Sequence, residues 1–302
     1  MRTRFIAISS CALALLLPAA AARAQDLPKG TAKDDPASKG TTDVTTDSFE
    51  AGKKDDPEKA KDTTELAISA GGLAASGNSK LLALTTASTF RLRREENQFS
   101  AVLAGNFTRV GPPGGGESVT TVENIQGKSR YDRFLSGEFG VFLGLQGRRD
   151  RFQGLNLRLQ VDPGVFYYFV DEASQQLWTE VGYDLLHDIR RDDSIVDATG
   201  NRLLDSNGDP LAKTKTVHSG RLFAGYSNKL NEAVTFTLGL EYLQALKDTT
   251  FWKFNGDAAV TSKLGKRFSF ATALSLRYDH EPLPGKQKLD TITSLNLVYT
   301  ML

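Results

Sequence analysis

The sequence predicts an antiparallel transmembrane β-barrel of about twelve strands, and three observations carry that prediction. From about Leu66 to Leu302 the chain repeats segments of roughly ten to fifteen residues in which apolar and polar side chains alternate, each closed by a turn. Ahead of them lies an apolar N-terminal stretch that reads as a secretory signal. After it no apolar run reaches the roughly 18 residues that a membrane helix requires. The run from Leu82 shows the pattern: Leu82, Leu84, Thr86, Ser88, Phe90 and Leu92 fall on one face, and Ala83, Thr85, Ala87, Thr89, Arg91 and Arg93 on the other. Strand side chains alternate between faces, so the first set can meet lipid while the second lines a wet or salt-bridged interior.

The signal is expected over residues 1–24. Arg2 and Arg4 precede the apolar stretch Phe5 to Ala22, and Ala22-Arg23-Ala24 supplies small residues for cleavage before Gln25. The competing reading, a lipoprotein signal around Ile8-Ser9-Ser10-Cys11, would cut within the apolar stretch and leave Ala12 to Ala22 as an anchor. Cys11 is the only cysteine, so cleavage before Gln25 removes disulfides, thiolate metal sites and cysteine nucleophiles from consideration. It also removes three arginines, which leaves 34 basic against 36 acidic residues and gives no reason to propose nucleic acid as a partner. The 40% hydrophobic content resembles that of a soluble protein because each barrel strand has only one apolar face.

Residues 25–63 differ in kind. They are rich in Lys, Asp, Thr, Gly and Pro, repeat Lys-Asp-Asp-Pro at 33–36 and 54–57, and contain one aromatic, Phe49. So little apolar surface cannot offset the entropy of folding, and the segment is expected to be a disordered charged periplasmic extension. The barrel is expected over 64–302.

Within it, strands are expected near 65–75, 81–94, 98–110, 120–133, 136–148, 154–170, 176–190, 215–229, 233–247, 250–264, 268–280 and 289–301. An even count puts both chain ends on one side, taken as the periplasmic side. The three longest connections, near 111–119, 191–214 and 281–288, then all fall at the opposite, outward end. Proline supplies an independent check, because it removes a ladder hydrogen bond. Pro112, Pro113, Pro210, Pro282 and Pro284 fall in those loops. Pro163 does not, so Asp162-Pro163-Gly164 is expected to form a bulge or kink, or else a true turn that would change the count.

Several segments also resemble a known family. Gly77-Asn78-Ser79, the run Asn124-Ile125-Gln126-Gly127-Lys128-Ser129-Arg130-Tyr131-Asp132, Asp150-Arg151-Phe152 with Leu157-Arg158, and Pro163-Gly164-Val165-Phe166-Tyr167-Tyr168 are similar to the salt-induced outer-membrane proteins, the YdiY-like family. The resemblance covers the barrel and not the tail, and this chain ends on Leu302 instead of an aromatic. It implies an outer-membrane barrel of largely undefined role.

The expected lumen network comprises Arg91, Arg93, Lys128, Arg130, Asp132, Glu138, Arg158, Glu180, Asp184, Glu241, Lys253, Asp257, Arg277, Asp279 and Asp290. Among these, Arg91, Arg93, Arg130 and Arg158 are expected to pair with Glu138, Glu180 and Glu241. About twelve strands lie between the eight that leave room only for side chains and the sixteen or more that leave a water-filled channel.

No catalytic constellation is read. A lipid-hydrolysing barrel would need a serine beside a histidine on the lipid-facing wall, yet Ile189, Gly220 and Pro282 stand two places after His187, His218 and His280. Asp205-Ser206-Asn207-Gly208-Asp209 begins like a calcium loop but has Pro210 at the sixth position and lacks the acid at the twelfth, so it reads as a turn. No metal and no cofactor is expected. The partners expected are outer-membrane lipid, the barrel-assembly machinery and small ions or solutes. The functional expectation is a narrow channel or structural barrel in the outer membrane of a Gram-negative bacterium, linked to osmotic or salt stress. The alternatives are a surface receptor or adhesion barrel acting through the 191–214 loop, and the lipid hydrolase.

Overall fold

The computed structural model describes residues 62–75, 80–111, 117–197, 199–205, 208–282 and 287–301. The signal, nearly all of the tail, the Gly77-Asn78-Ser79 turn, Pro112, Pro113 and Pro284 lie outside these residues. Twelve strands run β1 Asp62–Ala75, β2 Lys80–Arg94, β3 Asn97–Gly111, β4 Val119–Phe134, β5 Phe139–Asp150, β6 Leu155–Asp171, β7 Gln175–Arg190, β8 Thr214–Lys229, β9 Val234–Ala245, β10 Trp252–Lys263, β11 Phe268–Asp279 and β12 Leu289–Thr300. Each pairs antiparallel with its neighbours in sequence, and β1 pairs with β12 to close the barrel. β1 begins at Asp62, earlier than the expected 65, and β5 begins at Phe139, later than the expected 136. Among the described residues there is no α-helix, only one 3-10 turn at Asp192–Ser194.

Closure leaves no sheet edge, so the pleat divides every strand into lipid-facing and lumen-facing positions. On β3, Gln98, Ser100, Val102, Ala104 and Asn106 are buried while Phe99 and Leu103 are exposed. On β7, Trp178, Glu180, Asp184, Leu186, Asp188 and Arg190 turn inward while Leu177 and Val181 are exposed. An exterior of exposed Leu, Val, Ile and aromatic side chains is what a lipid environment requires of a barrel.

Aromatic side chains sit at both margins of this exterior. Near the end carrying the described chain termini are the pairs Phe268–Tyr299, Tyr167–Phe169 and Tyr226–Phe236. Near the opposite end Trp252 stacks on Tyr278 and His280, with Tyr242 beside it. On β11, Phe268 and Tyr278 belong to opposite girdles. Ten residue steps of about 3.4 Å at a tilt of about 40° separate such girdles by about 25 Å, the height of an outer-membrane apolar band.

Proline and glycine explain the local departures. β6 runs unbroken through Pro163, and its pairing with β7 has the same register before and after, from Val161↔Leu185 to Gly164↔Gly182. The unchanged register leaves neither the expected bulge nor a turn there; the ladder toward β7 only lapses at Asp162 and Pro163, where the missing proline N–H could not bond. The register shifts of β6 lie instead between Leu155 and Leu157 and between Tyr168 and Val170.

One side of the lumen is packed with rings. Phe134, Phe142, Phe166, Tyr168, Trp178 and Phe223, all from β4 to β8, form one buried cluster. Inward glycines make room for three of them: Gly140 pairs with Phe166, Gly164 with Phe142, and Gly225 with Trp178. A Cβ on Gly140, Gly164 or Gly225 would stand 2.3, 2.6 or 2.3 Å from the facing ring. This is the packing of an aromatic over a cross-strand glycine.

The β7–β8 connection is two successive small hairpins. Leu203 N–H donates to Ile195 and Leu211 N–H to Leu203, and each hairpin is closed by an aspartate turn, Asp197 to Asn201 and Asp205 to Asp209. Gly200 and Gly208 take φ of +86° and +85°, the left-handed values such turns need. Asp205 accepts from the Asp209 N–H, the turn anticipated from the sequence; Ser206 and Asn207 lie outside the described residues. Ile195 and Leu211 are buried, and Ser194 and Arg191 bond to Gly154, so this connection leans on the turn between β5 and β6.

Two outcomes follow. Gly225→Ala should drive a methyl into the Trp178 ring and cost about 1–3 kcal/mol in thermal or denaturant unfolding. Gly256→Ala, whose Cβ would meet nothing nearer than 3.5 Å, should be near neutral, and equal melting of the two variants would contradict this packing. In the loop, the Thr199 hydroxyl and the Asn201 N–H hold the Asp197 carboxyl below its ordinary range. A depressed carboxylate stabilises the fold above its unfolded pKa, about 3.9, and that contribution is lost as pH falls through the lower folded value. Hydrogen exchange corrected for its intrinsic pH dependence should therefore show the Thr199 and Asn201 amides losing protection only below about pH 4. Loss of protection at neutral pH would count against the turn.

Candidate functional site: the charged lumen

β4, β7, β8 and β9 aim a chain of alternating charges across the lumen. Arg130 Nε donates to Asp132 at 2.7 Å and Arg130 Nη1 lies 2.8 Å from Glu180. From the other side Arg221 Nη1 reaches Glu180 at 2.7 Å and Arg221 Nε reaches Glu241 at 2.6 Å. Asn255 of β10 donates to the second oxygen of Glu241 at 2.8 Å. Arg130 also lies 3.9 Å above the Phe142 ring, so the ionic chain rests on the aromatic cluster. Glu180 is 2% exposed. It survives there as a carboxylate acceptor because two guanidinium groups share it.

Other pairs surround this bar. Arg158 holds Asp188 with two bonds of 2.6 and 2.7 Å, and Arg148 holds Asp150 at 2.8 Å. Lys253 pairs with Asp279 at 2.9 Å, and Arg277 with Asp257, which also accepts from Ser275. Asp184 accepts from Gln160 at 3.0 Å. Lys128 and Asp290 lie on inward positions of β4 and β12 and line the same space.

The expected inward set is thus largely brought together, but with different partners. Only Arg130 with Glu180 pairs as anticipated. Arg91 pairs with Glu65, Arg93 packs 4.2 Å above Phe134, and Arg158 takes Asp188. Glu138 is a correction. It sits exposed in the turn before β5, where the two-residue alternation stops, and accepts from the outward-facing Tyr167 hydroxyl at 3.1 Å. Sequence reasoning missed Glu65, Arg148, Asp150, Asp162, Asp188, Arg190, Lys215 and Arg221. Counting alternate positions out from Trp178 on β7 and Phe223 on β8 would have found the last four, while Arg148, Asp150 and Asp162 need the same count on β5 and β6.

The three histidines face outward. His187 bonds Thr216 at 2.8 Å, His218 bonds the Tyr183 hydroxyl, and His280 stacks on Trp252.

The described lumen holds two cavities. One, about 270 Å³, lies toward the end away from the described termini and reaches Glu281, Pro282, Gln287 and Lys288. The other, about 210 Å³, lies toward the terminal end, lined by small residues such as Ala67, Ser69, Ala259 and Ala271 with Glu65 and Arg91.

The family described as "Protein of unknown function, DUF481" matches residues 68–301. No curated protein matches the sequence. Among solved structures the chain is similar to the NanC porin, at 13% identity over 78% of this chain and 100% of that one, with a TM-score of 0.47. It is similar to the KdgM porin at 7% identity over 80% and 100%, with a TM-score of 0.41. It is also similar to the COG4313 outer membrane channel from Pseudomonas putida F1 at 12% identity over 82% and 100%, with a TM-score of 0.42. These are likenesses of barrel architecture.

Removing the shared acceptor tests the bar directly. Glu180→Ala leaves Arg130 and Arg221 facing each other without it, and should cost about 3–5 kcal/mol, the range for a broken buried pair. Glu65→Ala, which releases a pair whose carboxylate is 49% exposed, should cost at most about 1 kcal/mol. Equal melting temperatures for the two variants would show that the bar is not a structural element.

Proposed function

This chain belongs to the DUF481 family, proteins of unknown function, and from that premise we propose that it is a non-enzymatic outer-membrane barrel whose lumen is a narrow, constricted channel for small ions or solutes. The observation that carries the reading is the bar Asp132–Arg130–Glu180–Arg221–Glu241, which crosses the lumen while cavities of about 270 and 210 Å³ stand toward its two ends. Polar walls with space on either side of a constriction are more use to a solute path than to a solid core. A barrel with only a structural role could fill the same volume with apolar side chains and avoid desolvating the charges.

The proposal extends to placement. The barrel stands in the outer membrane of a Gram-negative envelope, with the tail that precedes β1 in the periplasm and the 191–213 connection outside. The aromatic girdles support the membrane placement, and the even strand number puts both chain ends on one side. The link to osmotic or salt stress rests on the resemblance to the salt-induced proteins, and a deletion strain should grow more slowly at high osmolarity if it holds.

Single-channel recording on the purified protein tests the channel. Wild type should show small conductance steps, and Glu180→Ala should enlarge them by opening the bar. Silence in both proteins after verified refolding would refute the channel, and a large constitutive conductance in wild type would refute the constriction.

A further inference from the structure

We propose that the larger cavity binds a small oxyanion, a carboxylate or a phosphate, between Arg190 and Lys215. This deepens the channel reading by naming the class of solute the lumen takes, and it rests on that reading for its role in passage, though binding can be measured without it.

The charge balance of this cavity differs from that of the chain. Ten basic and seven acidic side chains line it, whereas the smaller cavity has one of each, Arg91 and Glu65. Moreover, the acids near Arg190 and Lys215 are already engaged. Asp188 is held through both oxygens by Arg158, and Asp279 takes Lys253 on one oxygen and the Glu281 N–H on the other. Asp162 and Asp184 lie deeper, near Gln160 and Arg221. Asp205 of the adjoining loop adds its field at Arg190.

Arg190 and Lys215 are what remains. Arg190 is buried among the strand ends, yet its side chain donates to one protein acceptor, the Ala212 carbonyl at 3.0 Å. A guanidinium has five N–H donors. None of its nitrogens is among the sealed, unpartnered atoms, so the remaining donors open on the cavity. Lys215 pairs across the ladder with Asp188, which makes it the diagonal neighbour of Arg190 on the lumen face. Such neighbours have Cβ atoms about 7–8 Å apart or less, a gap that a two-oxygen anion can bridge. The Lys215 ammonium lies 3.7 Å from the centre of the Phe251 ring and has no carboxylate bonded to it among the described residues. Arg190 and Lys253 stand close enough to repel Lys215, Asp279 and Asp188 attract it while each is held by its own cation, and Arg158 lines the same wall. Four cations around carboxylates that are already paired make a positive site. Arginine's planar fork matches carboxylate and phosphate alike.

The test uses the mature protein in detergent and isothermal titration with succinate and with inorganic phosphate at low ionic strength. Wild type should bind at least one of them, more weakly as salt is added. The double variant Arg190→Gln/Lys215→Gln should bind at least tenfold more weakly, while Lys263→Gln at the far end should match wild type. Heat-modified gel migration checks that each variant is folded, and Lys215→Gln alone, a partly exposed site, serves should the double variant fail that check. The tighter of the two anions identifies the class. No binding of either anion to wild type, or undiminished binding by the folded variant, would overturn the site. Binding without conductance would refute the channel and leave the site standing; conductance without binding would do the reverse.

Discussion

Glu180 is the point on which the interior depends, because guanidinium groups from β4 and β8 meet on one buried carboxylate of β7. Twelve strands enclose more space than eight strands fill with side chains, and less than the wide lumen of a large porin. Long side chains that reach toward the axis must therefore meet something there. Arg130 and Arg221 span this distance and would repel each other without the acid between them. Glu180 thus sets where both arginines end, and through Arg221 it sets Glu241 and Asn255 as well.

The ionic bar is supported from one side only. β4 to β8 carry the rings that cushion it, and Gly140, Gly164 and Gly225 give those rings room. The facing wall is built from small side chains: Ala87 opposite Ala104, and Ala259 opposite Ala273. One half of the lumen is consequently packed like a globular core, and the other half keeps the space in which the smaller cavity lies. Such asymmetry suits a constriction, since a rigid wall fixes the charges while the thinner wall leaves a path beside them.

The two ends are also unlike. The end away from the described termini collects the basic residues Arg148, Arg158, Arg190, Lys215 and Lys253 and the folded β7–β8 connection, with buried Ile195 and Leu211. The terminal end is closed by short turns, one of them at Glu95, where a non-glycine residue takes φ of +50° to complete a two-residue hairpin. A charged mouth above a neutral lower cavity gives the lumen an electrostatic direction, which a barrel with evenly mixed charges would lack.

The sequence by itself determined the number of strands, their approximate limits and which face of each meets lipid. These follow from local rules: alternation along a strand, turn residues between strands, and proline kept out of the ladder. They hold on β2, where Leu82, Leu84 and Thr86 are exposed and Ala87 and Arg93 buried, and they fail at Glu138 because that residue lies in a turn, where alternation has no meaning. Only the tertiary structure decided the partners. Arg158 took Asp188 and not a glutamate, Arg91 took Glu65, and Arg221 joined Glu180, because pairing depends on the register between strands and on how far a side chain reaches across a closed lumen. Period-two reading says that a residue points inward, but it carries no information about what stands opposite. The same limit hid the unpaired character of Arg190 and Lys215, which emerges only when the carboxylates around them are seen to be occupied.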